Sequence, residues 1–182
     1  MTGGAQGHHP RRILTVCLGN YCRSPVAACI LTHHGGAGLE IRSAGIRDKW
    51  AGQPAHPLMI EAAAAHGYDL TGHRSAQVTT ELLEWADLVL AMDLSNVAAL
   101  CDLATPRTRS KVRLYLPGKD VPDPWGRPRA AFDHCLTVLE NGADRYVPRT
   151  AHPPPPEKHP PCAPRPCSPT KRHSSPDNDR PP

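Results

Sequence analysis

Proline sets the first limit on what this 182-residue chain can fold into, because thirteen of its 22 prolines fall between Pro148 and Pro182. That stretch has almost no large apolar side chains, so it cannot bury enough surface to offset the entropy lost on ordering. We therefore predict a flexible N-terminal arm over residues 1–10, a folded domain over residues 11–147 and a disordered, proline-rich tail over residues 148–182. A domain of that length can bury a real core.

The charge distribution argues against nucleic-acid binding. The net charge of +4 arises mainly in the tail, where six Lys or Arg stand against three acids, and the rest of the chain has fifteen against fourteen. Nucleic-acid-binding domains instead concentrate Lys and Arg on one strongly positive surface. The tail itself could weakly bind an acidic partner or a proline-reading domain, although a solvated spacer is the simpler interpretation.

The N-terminus and the cysteines bear on the compartment. Residues 1–12 are polar, with neither a signal-peptide core nor a membrane span, so we predict a cytoplasmic protein that does not bind membranes. Seven cysteines is an odd number, and their spacing lacks the paired pattern of a zinc site. Reduced thiols are therefore expected, with no metal and no cofactor.

Short apolar runs alternate with helix-forming segments along the predicted domain. The predicted strands cover residues 13–16, 39–43, 87–92 and 111–116. The predicted helices cover residues 24–32, 55–66, 81–86, 95–101 and 129–140. This alternation indicates an α/β fold of three layers, in which a four-stranded parallel sheet carries helices on both faces.

The segment between the first strand and the first helix carries the chemistry. It reads Cys17-Leu18-Gly19-Asn20-Tyr21-Cys22-Arg23-Ser24-Pro25. Open α/β sheets bind ligands at the carboxyl ends of their strands, and a loop of this length can turn its N–H groups toward one anion. The helix that begins near Ser24 adds unpaired N–H groups, and Gly19 and Asn20 suit unusual backbone angles. We predict that residues 18–22 and Ser24 bind a phosphate group.

Two side chains of this loop have the properties of a phosphatase centre. Cys17 lies in positive surroundings that stabilise a thiolate, and a thiolate beneath phosphorus can attack in line with the leaving group. Arg23, six residues later, can hold two phosphate oxygens with its planar guanidinium. We predict Cys17 as the nucleophile and Arg23 as the phosphate clamp.

The same spacing occurs a second time, from Cys101 to Arg107. That segment has no glycine, it carries Asp102, which would repel phosphate, and Pro106 removes an N–H donor. We interpret Cys101 as a buried helix residue rather than a nucleophile.

From about residue 12 to about residue 140, the chain resembles the low-molecular-weight protein tyrosine phosphatase family. Beside the loop at Cys17, the motifs that carry the resemblance are Ser43-Ala44-Gly45, His66-Gly67-Tyr68-Asp69-Leu70, Gly72-His73-Arg74, Ala91-Met92-Asp93 with Ser95-Asn96, and Val121-Pro122-Asp123-Pro124-Trp125. The resemblance implies a flavodoxin-like fold of the phosphotyrosine phosphatase I type. It also implies hydrolysis of phosphotyrosine in protein substrates through a phosphocysteine intermediate.

The resemblance assigns further roles. Asp123, in a rigid Pro-Asp-Pro turn, matches the general acid that protonates the leaving group and then activates water. Ser24 would stabilise the thiolate, and Asn20, Ser43 and His73 would form a network that supports the loop.

Trp50 and Trp125 match aromatic positions that line the family's cleft, where they would stack on a phosphotyrosine ring. Two positions depart from the family pattern. Gly126 stands where a second aromatic residue is common, and Tyr21 stands where a smaller aliphatic residue is usual. A preference for phosphotyrosine over phosphoarginine therefore stays open.

Cys22 suggests redox control, because a disulfide with Cys17 is geometrically possible if the two Cα atoms lie within about 7 Å. We predict that peroxide inactivates the protein reversibly, with Cys22 capturing the sulfenic acid of Cys17.

Three alternatives remain at this point. An arsenate reductase on the same fold would need further cysteines after the third strand, where residues 91–95 have none. A phosphoarginine phosphatase is a closer variant. A non-catalytic phosphate-binding or redox-sensing protein is a rival of another class, against which Cys17, Arg23 and Asp123 together argue.

Overall fold

A computed structural model describes residues 9–147, so most of the predicted N-terminal arm and the whole predicted tail lie outside the described residues. The strands are β1 Arg11–Cys17, β2 Leu39–Gly45, β3 Leu88–Ala91 and β4 Val112–Leu114. The helices are α1 Arg23–Gly35, α2 Pro57–Ala65, α3 Thr80–Trp85, α4 Leu94–Leu103, α5 Pro106–Arg109 and α6 Arg129–Ala143, and a 3₁₀ turn covers Gly36–Gly38.

The four strands form one parallel sheet in the order β2-β1-β3-β4, which confirms the predicted α/β architecture. Strand β1 is central and pairs with β2 along its whole length, from Arg11 opposite Leu39 to Cys17 opposite Gly45. Strands β1 and β2 are therefore longer than predicted. Strand β4 is shorter, because it lies at the edge and pairs only with β3.

Side chains of β1 alternate between two cores because successive residues of a strand point to opposite faces. Ile13 belongs to a core formed with α1, α2 and α6, whereas Leu14 belongs to a second core with α3 and α4. Both side chains are completely buried. The two cores explain why the strand sequences read as continuous apolar runs rather than as alternating patterns.

The order in which strands are added to the sheet reverses between β1 and β3. Strand β2 lies on one side of β1, whereas β3 and β4 lie on the other, so the loops after β1 and β3 leave the sheet side by side at a switch point. Ligands of open α/β sheets bind at such points. This topology brings the segment after Cys17 next to the segment after Ala91.

Some predicted details of the helices were wrong. Helix α4 is capped by Asp93, whose Oδ1 accepts from the Asn96 N–H at 2.7 Å, and not by Ser95, whose hydroxyl donates to Asp93 instead. Helix α5 was not predicted; Thr105 caps it and proline stands at its first turn. Cys101 lies in α4 as expected, but it is only partly buried.

No helix within the described residues is long and apolar enough to cross a membrane. The same part of the chain holds no cluster of three or more His, Cys, Asp or Glu that could bind a metal ion.

Candidate active site

The loop between β1 and α1 turns its carbonyl groups outward. The carbonyl of Cys17 accepts from the Ile46 N–H at 3.0 Å, and that of Leu18 accepts from the Arg47 N–H at 2.8 Å. The carbonyl of Tyr21 likewise accepts from a backbone N–H at 2.8 Å, in the segment before α2. Within residues 9–147, the N–H groups of residues 18–22 donate to none of the protein's acceptors. The loop is thus held from outside, and its donors are available to an anion.

Asn20 is the centre of this support. Its side-chain Nδ2 donates to Ser24 Oγ at 3.0 Å and to Ser43 Oγ at 2.9 Å. Its backbone carbonyl accepts from His73 Nε2 at 2.9 Å and from Ser75 Oγ at 2.6 Å. The structure therefore brings together Asn20, Ser43 and His73 as the resemblance implied, and Ser75 is an addition.

Gly19 and Asn20 were both expected to adopt unusual backbone angles, but the structure gives a different reason for each residue. Asn20 has φ of 53°, the only positive φ at a non-glycine residue within 9–147. Gly19 does not have a positive φ; it is needed because a Cβ there would overlap the Trp50 ring. The prediction of unusual backbone angles thus holds for Asn20 and is wrong for Gly19, where close approach is the reason.

Cys17 ends β1 beneath the loop and is only 3% exposed. Ser24 Oγ donates to Cys17 Sγ at 3.1 Å. Because Asn20 Nδ2 donates to the same hydroxyl oxygen, the single hydroxyl proton is left for one of two acceptors, Cys17 Sγ or the Ala44 carbonyl at 3.2 Å. When the proton points at sulfur, it stabilises negative charge on Cys17.

Arg23 is buried in the first turn of α1. Its Nη1 donates to Asp93 Oδ2 and its Nη2 to Asp123 Oδ2, both at 2.7 Å. Burial by itself would lower the pKa of Arg23, but the negative charges of Cys17 and Asp123 outweigh it and raise the pKa. The guanidinium is thus a fixed cation beside Cys17, oriented by two carboxylates.

Asp93 combines two functions that sequence reasoning did not assign to it. One oxygen caps α4, and the other anchors Arg23. Burial opposes ionisation of Asp93, but the hydrogen bonds that it accepts from Ser95, from the Asn96 N–H and from Arg23 lower its pKa. Its position directly after β3, beside the loop after β1, is the signal that would have found it.

Asp123 lies on a segment that is tied to the end of β3, because the Val121 N–H donates to the Met92 carbonyl at 2.7 Å. Its side chain is 45% exposed, with Oδ2 on Arg23 and Oδ1 accepting from the Trp125 N–H at 3.1 Å. A residue one hundred positions after Arg23 thus faces the same cleft as Cys17.

Aromatic rings form the walls of this cleft, which has a volume of about 180 Å³. Tyr21 stacks on Trp50 with ring centroids 5.5 Å apart and planes 15° apart. Trp125 meets Trp50 edge to face at 6.4 Å and is 55% exposed. Trp50 and Trp125 therefore line the cleft as the resemblance implied, and Tyr21, predicted as one of the phosphate-binding residues 18–22, adds a third ring to its wall.

Cys22 lines the same cleft but is almost completely buried, and both it and Cys17 are free thiols. Burial, together with the negative charge of Cys17, raises the pKa of Cys22 far above its ordinary value. Cys22 is therefore a neutral thiol next to the charged centre. His73 is also uncharged at neutral pH, since burial lowers its pKa.

The sequence profile of the family described as low molecular weight phosphotyrosine protein phosphatase matches residues 12–152. The probable low molecular weight protein-tyrosine-phosphatase EpsP of Ralstonia nicotianae is 37% identical over 140 residues, which cover 76% of this chain and 95% of that protein. The low molecular weight protein-tyrosine-phosphatase Wzb of Salmonella typhi is 38% identical over 139 residues, covering 75% and 91%.

Solved structures are similar over the same part of the chain. Wzb of Vibrio vulnificus in complex with benzylphosphonate matches with a TM-score of 0.71 and 33% identity, covering 76% of this chain and 97% of that one. The tyrosine phosphatase amsI of Erwinia amylovora matches with a TM-score of 0.70 and 31% identity, covering 79% and 97%.

Proposed function

This chain belongs to the low-molecular-weight phosphotyrosine protein phosphatase family and is a protein tyrosine phosphatase, and we propose that Cys17, Arg23 and Asp123 are its catalytic residues. The observation that carries these roles is that a buried thiol at the end of β1, a buried guanidinium at the start of α1 and a carboxylate from a distant segment line one cleft.

In the first step, the Cys17 thiolate attacks phosphorus. An S–P bond forms while the bond from phosphorus to the tyrosyl oxygen breaks, and Asp123 gives its proton to the leaving oxygen. The inward N–H groups of residues 18–22 and the Arg23 guanidinium stabilise the charge on the phosphoryl oxygens. The products are a free tyrosine side chain and a phosphocysteine.

In the second step, water attacks the phosphocysteine. Asp123, now a carboxylate, accepts a proton from that water, and the S–P bond breaks to release inorganic phosphate. Cys17 leaves as a thiolate, which the hydroxyl of Ser24 stabilises by the hydrogen bond to sulfur. The same hydroxyl thus assists the sulfur both as attacking and as leaving group.

We propose a phosphotyrosine-containing protein in the cytoplasm as the substrate. A phosphate bound by the loop leaves its aryl ring against the cleft walls that Tyr21, Trp50 and Trp125 form, where contact between aromatic rings is favourable. The two relatives described above, at 37% and 38% identity, bear the name of protein tyrosine phosphatases, so arsenate reduction, phosphoarginine hydrolysis and a non-catalytic role are not favoured.

The test is to trap the covalent intermediate. The purified full-length protein is mixed with an aryl phosphate, quenched in acid during turnover and digested, and the phosphorylated peptide is identified by mass spectrometry. We expect one phosphoryl group on Cys17 in the wild type and none in Cys17→Ser. Turnover without any phosphorylated Cys17, or phosphate on another residue, would contradict the assignment.

We further propose that Cys22 protects Cys17 from irreversible oxidation. Peroxide oxidises the Cys17 thiolate to a sulfenic acid and is reduced to water; the Cys22 thiol then displaces the hydroxyl as a second water, forming a disulfide. A neutral thiol attacks slowly, so capture should accelerate as pH rises. After a peroxide pulse, dithiothreitol should restore most activity to the wild type and little to Cys22→Ser; equal recovery would exclude the capture.

A further inference from the structure

Two basic side chains share the cleft with Cys17, and the proposed function does not use them. Arg47 and Lys49 both line the cleft, and both are exposed. The Arg47 N–H donates to the Leu18 carbonyl, which fixes this segment directly against the phosphate-binding loop. Lys49 Nζ lies 4.8 Å from the centre of the Trp50 ring. Both positions are therefore set by contacts with the site itself.

Arg47 and Lys49 have no carboxylate as an ion-pair partner within residues 9–147. The acid that lines the cleft, Asp123, is paired with Arg23, and Asp48 stands between the two cations in sequence without lining the cleft. In the part of the chain that the structure describes, the mouth of the cleft therefore carries two positive charges without an ion-pair partner.

Resting on the phosphatase function, we propose that Arg47 and Lys49 form a second binding site for acidic side chains that flank the phosphotyrosine of the protein substrate. A phosphotyrosine whose phosphate reaches the loop leaves its neighbouring residues at the mouth of the cleft. Carboxylates there meet two cations, and the ammonium of Lys49 is held over aromatic rings by cation–π attraction. The substrate class is thus a phosphotyrosine in an acidic sequence context.

The test compares two phosphotyrosine peptides that differ only in charge. One has Asp or Glu at the three positions on each side of the phosphotyrosine, and the other has Asn or Gln there. In low salt, the wild type should hydrolyse the acidic peptide with a kcat/KM roughly twofold to thirtyfold higher, the range for two exposed ion pairs. The ratio should fall toward about one as salt is raised.

The double variant Arg47→Gln/Lys49→Gln should bring the ratio near one, and Arg47→Glu/Lys49→Glu should invert it. The matched control is Arg107→Gln/Arg145→Gln, which removes the same charge from exposed residues that do not line the cleft, and it should keep the wild-type ratio. The proposal is overturned if the wild type hydrolyses both peptides with the same kcat/KM. It is also overturned if Arg47→Gln/Lys49→Gln keeps the wild-type ratio. If neither peptide is hydrolysed, the phosphatase function itself has failed.

Discussion

Two segments of this chain have a cysteine followed six positions later by an arginine, and only the first of them forms a loop at the cleft. Cys17 ends a strand and is followed by a loop, so its thiol and Arg23 meet at one cleft. Cys101 lies inside α4, and Arg107 lies in α5 with its side chain 79% exposed, 3.8 Å from Glu84.

The difference lies in what each segment follows. The first segment leaves the carboxyl end of a central parallel strand. Its carbonyls accept hydrogen bonds from N–H groups of other segments, and its arginine donates to Asp93 and Asp123. The second ends α4 and begins α5, and within these helices the backbone groups bond mainly to one another. Equal spacing therefore produces an anion-binding loop only where the chain emerges from the sheet at a switch point.

Replacing Cys17 should lower kcat more than any other change considered, whereas replacing Cys101 should have almost no effect. Cys17→Ser should lower kcat for an aryl phosphate by roughly 10⁴–10⁶-fold, because removing a nucleophile removes the covalent pathway. Cys101→Ser should keep kcat within about twofold of the wild type. A Cys17→Ser protein with near wild-type turnover would refute the nucleophile, and steady-state kinetics on both purified variants decide it.

The second largest loss of kcat is expected from replacing Arg23, whereas the same replacement of Arg107 should have no effect. Arg23→Lys keeps a positive charge but cannot present two parallel N–H groups, so kcat should fall by roughly 10³–10⁵-fold. Arg107→Lys, at an exposed site, should leave kcat unchanged. Retention of the native circular dichroism spectrum is the control for folding. Comparable activity of the two variants would contradict the role of Arg23 as the phosphate clamp.

A smaller difference is expected between Asp123, which faces Arg23 of the first segment, and Asp102, which lies inside the second segment. Asp123→Ala should lower kcat by roughly 10²–10⁴-fold, with the greater loss for an alkyl phosphate, whose leaving oxygen needs a proton more than p-nitrophenolate does. Asp102→Ala, at an exposed position of α4, should have no effect. If the Asp123→Ala loss were independent of the leaving group, Asp123 would not be the general acid.

The smallest effect concerns the carboxylates that face each arginine. Asp93→Asn can still cap α4 but loses its charge on Arg23, so urea unfolding at pH 7 should show a loss of about 1–3 kcal/mol. Glu84→Gln, opposite Arg107 at the surface, should cost less than about 0.5 kcal/mol.

The pH dependence of this loss follows from the lowered pKa of Asp93 in the folded protein. The stability that its ionisation contributes is present above the pKa of an unfolded Asp, about 3.9, and is lost as pH falls through the folded pKa. The difference between the wild type and Asp93→Asn should therefore be constant from pH 7 to about pH 5 and shrink in stronger acid. A difference that grows on acidification would contradict this account.

Local patterns were enough to predict the parallel α/β fold, because the apolar runs and helix signals repeat in a regular order along the chain. The sequence also identified the loop from Cys17 to Ser24, since that strand, glycine-containing loop and helix start are contiguous in the chain. Strand lengths were less accurate, because pairing with a neighbour sets where a strand ends. The cap of α4 was misassigned between two polar residues that lie two positions apart, Asp93 and Ser95.

The distant side chains that complete the site could not be predicted from local patterns, because tertiary packing brings them together. Asp93 faces Arg23 because β3 lies beside β1, and Ser75 reaches the Asn20 carbonyl across fifty-five positions. Gly19 is required by the Trp50 ring and not by its own dihedral angles. Such contacts depend on the packing of segments far apart in the chain, so no local pattern contains them.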